Sequence, residues 1–253
     1  MITFLRKRLY QALQYKDNNN FNIYLLDYKK LQYFVSEPRL NRFLIACENS
    51  EIKAKELYKI NLEVSKSFYP ILNLFEIFIR NSFNYCVSDY FDNYDWIISE
   101  KDGFMSSPTL KPSKFFMKRC VIMAETSLSR KKVKLTSGKI IAEQSFGFWT
   151  SLFDVHHYKL IGGSVMHSFT NKPSHVNRSI ISQRLNRIRE FRNRIYHNEP
   201  ICFNGNLIDF ASAIDIKAEI YNVLEWMDSD LKIYVDEYNG IEPIINSLEK
   251  VTQ

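Results

Sequence analysis

The sequence predicts an all-α fold, and three observations carry that reading. Apolar residues recur at three- and four-residue spacing over most of the 253 positions. Glycine and proline number only 7 each, too few for the many tight turns of a sandwich or barrel. The punctuation that does occur, at Pro38, Pro70, Gly103, Pro108, Pro112, Gly162-Gly163 and Pro200, falls between periodic segments. With 45% hydrophobic and 25% charged residues the composition is that of a globular protein able to bury a core. The 19 Phe and 15 Tyr predict that this core is rich in aromatic rings.

In chain order, Thr3 is placed to cap a first helix carrying Phe4, Leu5, Leu9, Ala12 and Leu13, which ends at the polar run Asp17-Asn18-Asn19-Asn20. A second helix is predicted over 22–35, and Pro38 opens a third that reaches Cys47. A charged amphipathic helix follows over 51–67. Pro70 then opens a long apolar one, ILNLFEIFIRNSFNYCVSDYF. The stretch 92–113 holds Gly103, Pro108 and Pro112 and reads as irregular. A helix over 114–128 precedes a basic loop, SRKKVKLTSGK, and Ser137 is the expected cap of a helix through KIIAEQSFGFWTSLF. After Gly162-Gly163 and the NKPS turn comes a helix over 177–197. CFNGNL is a turn with room for a little strand, and two closing helices are predicted over 209–228 and 230–238. No internal repeat or low-complexity linker divides the chain, so a single domain is the simpler expectation.

A formal net charge of +6 is compatible with an anionic partner without requiring one. Cys47, Cys86, Cys120 and Cys202 show no CxxC or metal-ligand spacing and read as small apolar residues in a reducing compartment. His156 and His157 are adjacent and point two ways on a helix. No run approaches the roughly 18 apolar residues of a membrane span, and the N-terminus lacks the apolar block of a signal peptide. A cytoplasmic location is expected.

The segment EFRNRIYHNEPI, 190–201, concentrates the chemistry. At about 100° per residue, Ile181, Leu185, Ile188, Phe191 and Ile195 fall on one arc. Arg192 lands inside it, about 20° from Ile181. A guanidinium there requires either a carboxylate partner, for which Glu76 and Asp89 are candidates, or an opening onto a cleft. Asn186, Arg189, Glu190, Asn193 and His197 form a second, polar stripe, with Asn193 and His197 four residues apart. Arg192 and His197 lie on different sides of an ideal helix, so one chain does not easily bring both to one atom. Read structurally, Arg192 is an ion pair and His197 complements the helix dipole. Read chemically, a His titrating near neutrality suits deprotonation of an RNA 2′-hydroxyl, and an Arg fork suits the crowded phosphate.

Arg192-Asn193-x-x-x-His197 resembles the Arg-x4–6-His motif of the HEPN superfamily. The longer string FRNRIYHNEPI is similar to the RNRIxHxEPI segment of the Abi-like (abortive-infection) family. The helix LFEIFIRNSFNY, with Glu76, Arg80 and Asn81, resembles that family's E-x3-RN helix, FDNYDW agrees in order, and SFGFWTSLF resembles its FGxW segment. The resemblance runs from about Leu40 to near Tyr234. It implies an HEPN-type helical bundle with additional N-terminal helices, as one Abi-like domain over 1–253 with a core at roughly 51–238. It further implies a metal-independent endoribonuclease without cofactor, acting as a toxin-like effector in phage defence. Arg192 and His197 would be catalytic with Asn193 in support. Arg189 and Arg194 would hold the RNA backbone, and Glu76 and Arg80 would line the same cleft or simply pair with each other. A homodimer placing two Arg/His pairs around one cleft is implied, as is a neutralising antitoxin, protein or RNA. One departure is Glu199, which stands where HEPN toxins silenced by nucleotidylation carry Tyr. The alternatives are a non-catalytic HEPN-fold module binding RNA or protein, and a helical adaptor. Phe148 and Trp149 are expected to anchor the core, and Lys131, Lys132 and Lys134 to be solvated or to meet RNA phosphates.

Overall fold

The computed structural model describes residues 26–247, which are mostly helical. The first predicted helix, with Thr3 and the Asp17–Asn20 run, lies outside the described residues, as does the start of the second. The chain divides into two compact units, Met1–Tyr58 and Lys59–Gln253.

In the first unit, α1 (Tyr28–Val35) begins where the Asp27 carboxylate accepts a hydrogen bond from the Lys30 amide at 2.8 Å. Ser36, at φ 85°, turns the chain into α2 (Glu37–Ala46), which Pro38 opens as the sequence predicts. Glu48 and Asn49 also take positive φ before α3 (Glu51–Phe91) begins, and Ser50 Oγ accepts from the Lys53 amide at 3.4 Å. Leu40, Phe43, Ala54 and Leu57 are fully buried here, and the Phe43 and Tyr58 rings meet edge-on at 5.2 Å.

The sequence predicts a helix ending near Ser67 and a fresh one from Pro70. Instead α3 runs unbroken through Pro70 for 41 residues. Proline forfeits the bond to the Lys66 carbonyl and costs about 3 kcal/mol in a helix interior. Val64, Phe68, Ile71, Leu72, Phe75, Ile79, Phe83 and Val87 form one continuous stripe at 0% exposure across that point. Each such side chain contributes roughly 1.5–3 kcal/mol on burial, so the stripe outweighs the proline.

This stripe of α3 is the spine of the second unit. The stretch 92–113 is irregular as expected, holding the short α4 (Trp96–Ser99) and two 3-10 turns, Phe104–Ser106 and Pro108–Ser113. Trp96 is buried and donates its indole N–H to Asn84 Oδ1 at 2.9 Å. Next comes α5 (Phe116–Arg130) and then α6 (Ser137–Ala142). Thr136, not Ser137, caps α6; the Ser137 hydroxyl donates instead to the Asp95 carboxylate.

The single helix expected through KIIAEQSFGFWTSLF is also broken. Ser145 is extended, at φ −72° and ψ 161°, and separates α6 from α7 (Phe146–Thr150) and a 3-10 turn, Ser151–Phe153. The physical reason is burial. Phe146, Phe148, Trp149, Thr150, Ser151, Leu152 and Phe153 are all buried, and a straight amphipathic helix has no face wide enough for such a run. Phe146 packs edge-on to Phe75, while Phe153 meets Phe83 and Phe169.

Beyond it, α8 (Val155–Leu160) buries His157 and leaves His156 exposed, the divergence expected of neighbours on a helix. The helix of interest, α9 (Arg178–Tyr196), starts where Asn177 Oδ1 accepts from the Ser179 and Ile180 amides at 2.9 and 3.2 Å. Its five predicted core residues, Ile181, Leu185, Ile188, Phe191 and Ile195, are all buried, and Phe191 meets Phe68 of α3 at 4.9 Å. CFNGNL forms a hairpin of β1 (Phe203–Asn204) and β2 (Leu207–Ile208), turned at Gly205. Two predicted closing helices are present as α10 (Ala211–Met227) and α11 (Ser229–Asp236), and a further one, α12 (Ile241–Asn246), follows.

The segment leaving α9 is fastened by a buried amide. Asn61 of α3 is 4% exposed, and its Oδ1 accepts from the Ile201 amide at 2.8 Å. Asn61→Ala strands that N–H and is expected to lower unfolding free energy by about 1–3 kcal/mol. Asn61→Asp keeps the acceptor and should lose less, as urea denaturation followed by circular dichroism will show.

Candidate functional site where α9 meets α3

The sequence places Arg192 in the apolar arc of α9, and α3 supplies what that position demands. Arg192 Nε donates to Glu76 Oε1 at 2.5 Å and Nη2 to Glu76 Oε2 at 3.4 Å, a side-on bidentate pair. The two side chains are only 25% and 22% exposed, so the pair is screened far less than a surface one. Of the two carboxylates proposed from the sequence, Glu76 rather than Asp89 is the partner. Arg192 Nη1 also donates to Asn193 Oδ1 at 3.3 Å, and the guanidinium carbon lies 3.9 Å from the centre of the Tyr196 ring.

Tyr196 is the residue the sequence reading missed. It stands four positions after Arg192, which on a helix makes it a neighbour, and that spacing is the signal that would have found it. Its ring stacks on Tyr69 of α3, with centroids 5.6 Å apart and planes 22° from parallel. Burial, reinforced by Glu76 and Tyr69, pushes its phenol up, with Arg192 opposing. Tyr196 is therefore a neutral hydrogen-bonding group near pH 7.

Arg80 does not pair with Glu76; its Nε donates to Asn81 Oδ1 at 3.2 Å. Arg189 Nη1 donates to Thr150 Oγ1 at 3.0 Å, tying α9 to the FGFWT segment. Arg194 turns back on its own segment, donating to the Pro200 carbonyl at 2.5 Å with Glu199 at 3.8 Å. His197 ends α9 and is exposed; its amide bonds the Asn193 carbonyl at 2.9 Å. Arg192, Asn193 and Glu76 thus form one cluster, to which the His197 imidazole makes no hydrogen bond among the described residues.

Beside the cluster opens a cavity of about 270 Å³. Glu76, Arg80 and Tyr196 line it together with Asn73, Gln144 and Trp149. Phe148 and Trp149 are buried at 0% and 1% exposure, as core anchors. In the basic loop, Lys131 is held by Glu143 at 3.0 Å. Burial pushes the Cys47, Cys86 and Cys120 thiols up, away from the reactive thiolate. Among the described residues no group of three or more His, Cys, Asp or Glu side chains is placed to share a metal ion. No described helix is long and apolar enough to cross a membrane. Compared with protein-family models, curated proteins and solved structures, the chain matches none.

Glu76→Ala leaves the Arg192 cation half-buried without its counter-ion, and unfolding free energy should fall by about 1–3 kcal/mol. The double change Glu76→Leu with Arg192→Met removes both charges and is expected to recover most of that loss. A double-mutant cycle in urea measures the coupling.

Proposed function

We propose that the chain is a metal-independent endoribonuclease of the HEPN kind, an Abi-like toxin effector of phage defence, working as a homodimer. The observation that carries the reading is the posture of Arg192. Glu76 takes the Nε–Nη2 edge and Asn193 one Nη1 proton, so three of the five guanidinium N–H groups are engaged. One N–H on each Nη is left for a phosphate oxygen, on a side chain already held in place.

In this reading the exposed His197 takes the proton from an RNA 2′-hydroxyl. The 2′-oxygen attacks the adjacent phosphorus, and the bond to the 5′-oxygen breaks. A 2′,3′-cyclic phosphate and a 5′-hydroxyl result, the leaving oxygen taking its proton from an imidazolium or water. Arg192 faces α3 while His197 faces outward, so the pair that meets one phosphate comes from two copies of α9. Asn193 keeps Arg192 in register. Arg189 and Arg194, both bonded within the chain, position α9 and its exit segment, and reach RNA only through their remaining donors.

A second reading is favoured by the same ion pair. With Arg192 neutralised by Glu76 and no group among the described residues orienting His197, the surface suits a module that binds RNA or protein without cutting it. The two separate cleanly in an assay. The nuclease is expected to cut RNA in EDTA and leave cyclic phosphate ends. His197→Ala and Arg192→Ala should each slow cleavage by about 10²–10⁴-fold, with circular dichroism unchanged for His197→Ala. Mixed dimers of Arg192→Ala with His197→Ala should regain part of the activity. Cleavage by His197→Ala at the wild-type rate would leave only the binding module.

A further inference from the structure

The basic residues of this chain are unevenly spread. The segment 111–139 holds nine Lys and Arg and one acid, Glu125, for a net charge of +8. The whole chain carries +6, so everything outside that segment sums to −2. In space the segment is mainly α5 and the turn that leads from it into α6. Lys118 is paired with Asp102 and Lys131 with Glu143. Arg119, Arg130, Lys132, Lys134 and Lys139 are exposed, and their side chains make no ion pair among the described residues.

Helix electrostatics do not account for this concentration. Cations in a last turn complement the helix dipole, which covers Arg130 and Lys131 at the end of α5. Arg119 and Lys139 stand in the opening turns of α5 and α6, where the dipole disfavours a cation. Lys134 belongs to neither helix. The turn that carries it is well defined: Lys132 takes φ 55°, and the Val133 amide closes back on the Leu128 carbonyl at 3.0 Å.

The short helix α6 ties this surface to the site at Arg192. Glu143, which holds Lys131, lies between Ala142 and Gln144, two residues on the wall of the cavity beside Glu76. From Ser137 to Ala142 the helix has six residues and is about 9 Å long. The basic turn and the cavity therefore stand at its two ends, and Arg80 adds a further cation to the cavity wall. A lipid surface fits less well. The apolar stripe of α5, Met117, Val121, Ala124 and Leu128, is spent on the core, and the exposed Ile122, Met123 and Leu135 make no inserting face. We propose that the α5–α6 surface is a second contact for RNA, holding backbone phosphates of the strand whose cleaved linkage lies at Arg192. The substrate is then a strand of many nucleotides and not a dinucleotide-sized fragment, and this surface holds it without regard to base. The proposal rests on the RNA reading of the preceding section and adds the substrate class.

The test measures binding of a strand that cannot be cut. A fluorescent 2′-O-methyl RNA of about 16 nucleotides, the upper site size of a single-strand binding fold, is titrated into the full chain by anisotropy. Salt is varied from roughly 50 to 200 mM. Lys132→Gln with Lys134→Gln should weaken binding about tenfold at about 100 mM salt and lower the salt slope by about 1.4, the worth of two phosphate contacts. Lys29→Gln with Lys30→Gln removes the same charge from exposed positions on α1 and should leave affinity within about twofold of wild type. Circular dichroism checks that both variants fold. Wild-type affinity in the first variant, or an equal loss in both, overturns the proposal. So does loss of binding to phosphatidylcholine–phosphatidylserine vesicles in the first variant with RNA affinity kept, which assigns the surface to a membrane. Cleavage in EDTA is followed alongside on the same strand with its 2′-hydroxyls. Selective loss of binding in the first variant, with no cleavage by wild type, sinks the catalytic reading alone. Cleavage by wild type, with the first variant binding as tightly, sinks this one alone.

Discussion

A cation inside an apolar arc has to be answered, and much of the second unit's interior follows from how Arg192 is answered. On α9 it stands among Ile181, Leu185, Ile188, Phe191 and Ile195, all buried. A lone, half-buried guanidinium in that company would cost about 1–3 kcal/mol. Glu76 can meet it only if α3 presents that residue at the height of Arg192. The Phe68–Phe191 contact and the Tyr69–Tyr196 stack lie alongside and agree with that register. Apolar contacts alone tolerate sliding by a turn; a bidentate pair with donor and acceptor this close does not. The pair therefore contributes definition to the helix contact more than net stability.

Seen this way, the continuity of α3 has a purpose. A helix restarted at Pro70 would be free to change direction just before Glu76. Running unbroken from Glu51 to Phe91, it keeps Asn61, Tyr69 and Glu76 on one rigid rod. Asn61 then holds the exit of α9 through the Ile201 amide, and Glu76 holds its last turns through Arg192. The end of α9, with its exposed histidine, is thus pinned at two heights on one neighbour.

What was legible in the sequence divides along physical lines. The α9 span, its five core residues and the need for a carboxylate or a cleft opposite Arg192 were all readable, because helical period and the cost of a buried charge are local rules. So were the α2 start at Pro38 and the turn at CFNGNL, with its room for a little strand. The errors came where tertiary burial overrode local punctuation. Pro70 lost to the stripe from Val64 to Val87, and KIIAEQSFGFWTSLF lost its expected continuity because Phe146 to Phe153 is buried on nearly all sides. The choice of Glu76 over Asp89 and the meeting of Arg189 with Thr150 depend on how distant segments pack. No period in the chain encodes either one.

The ion pair and the proposed chemistry pull in compatible directions. An arginine awaiting a phosphate in solvent would sample many rotamers, and a bound anion would have to overcome that freedom. Glu76 removes it in advance, at the expense of cancelling the charge that attracts the phosphate. Cancellation is partial, because the carboxylate occupies one edge of a delocalised cation and the other edge keeps two donors. As negative charge builds on a phosphorane oxygen, those donors gain strength while the Glu76 contact stays the same. Under the proposed chemistry that gain is made in the transition state, where an interaction accelerates a reaction, and not in binding the ground state. Fixed geometry is thus obtained by half-neutralising the cation, and the donors left on Arg192 are the part of it that the proposed reaction would use.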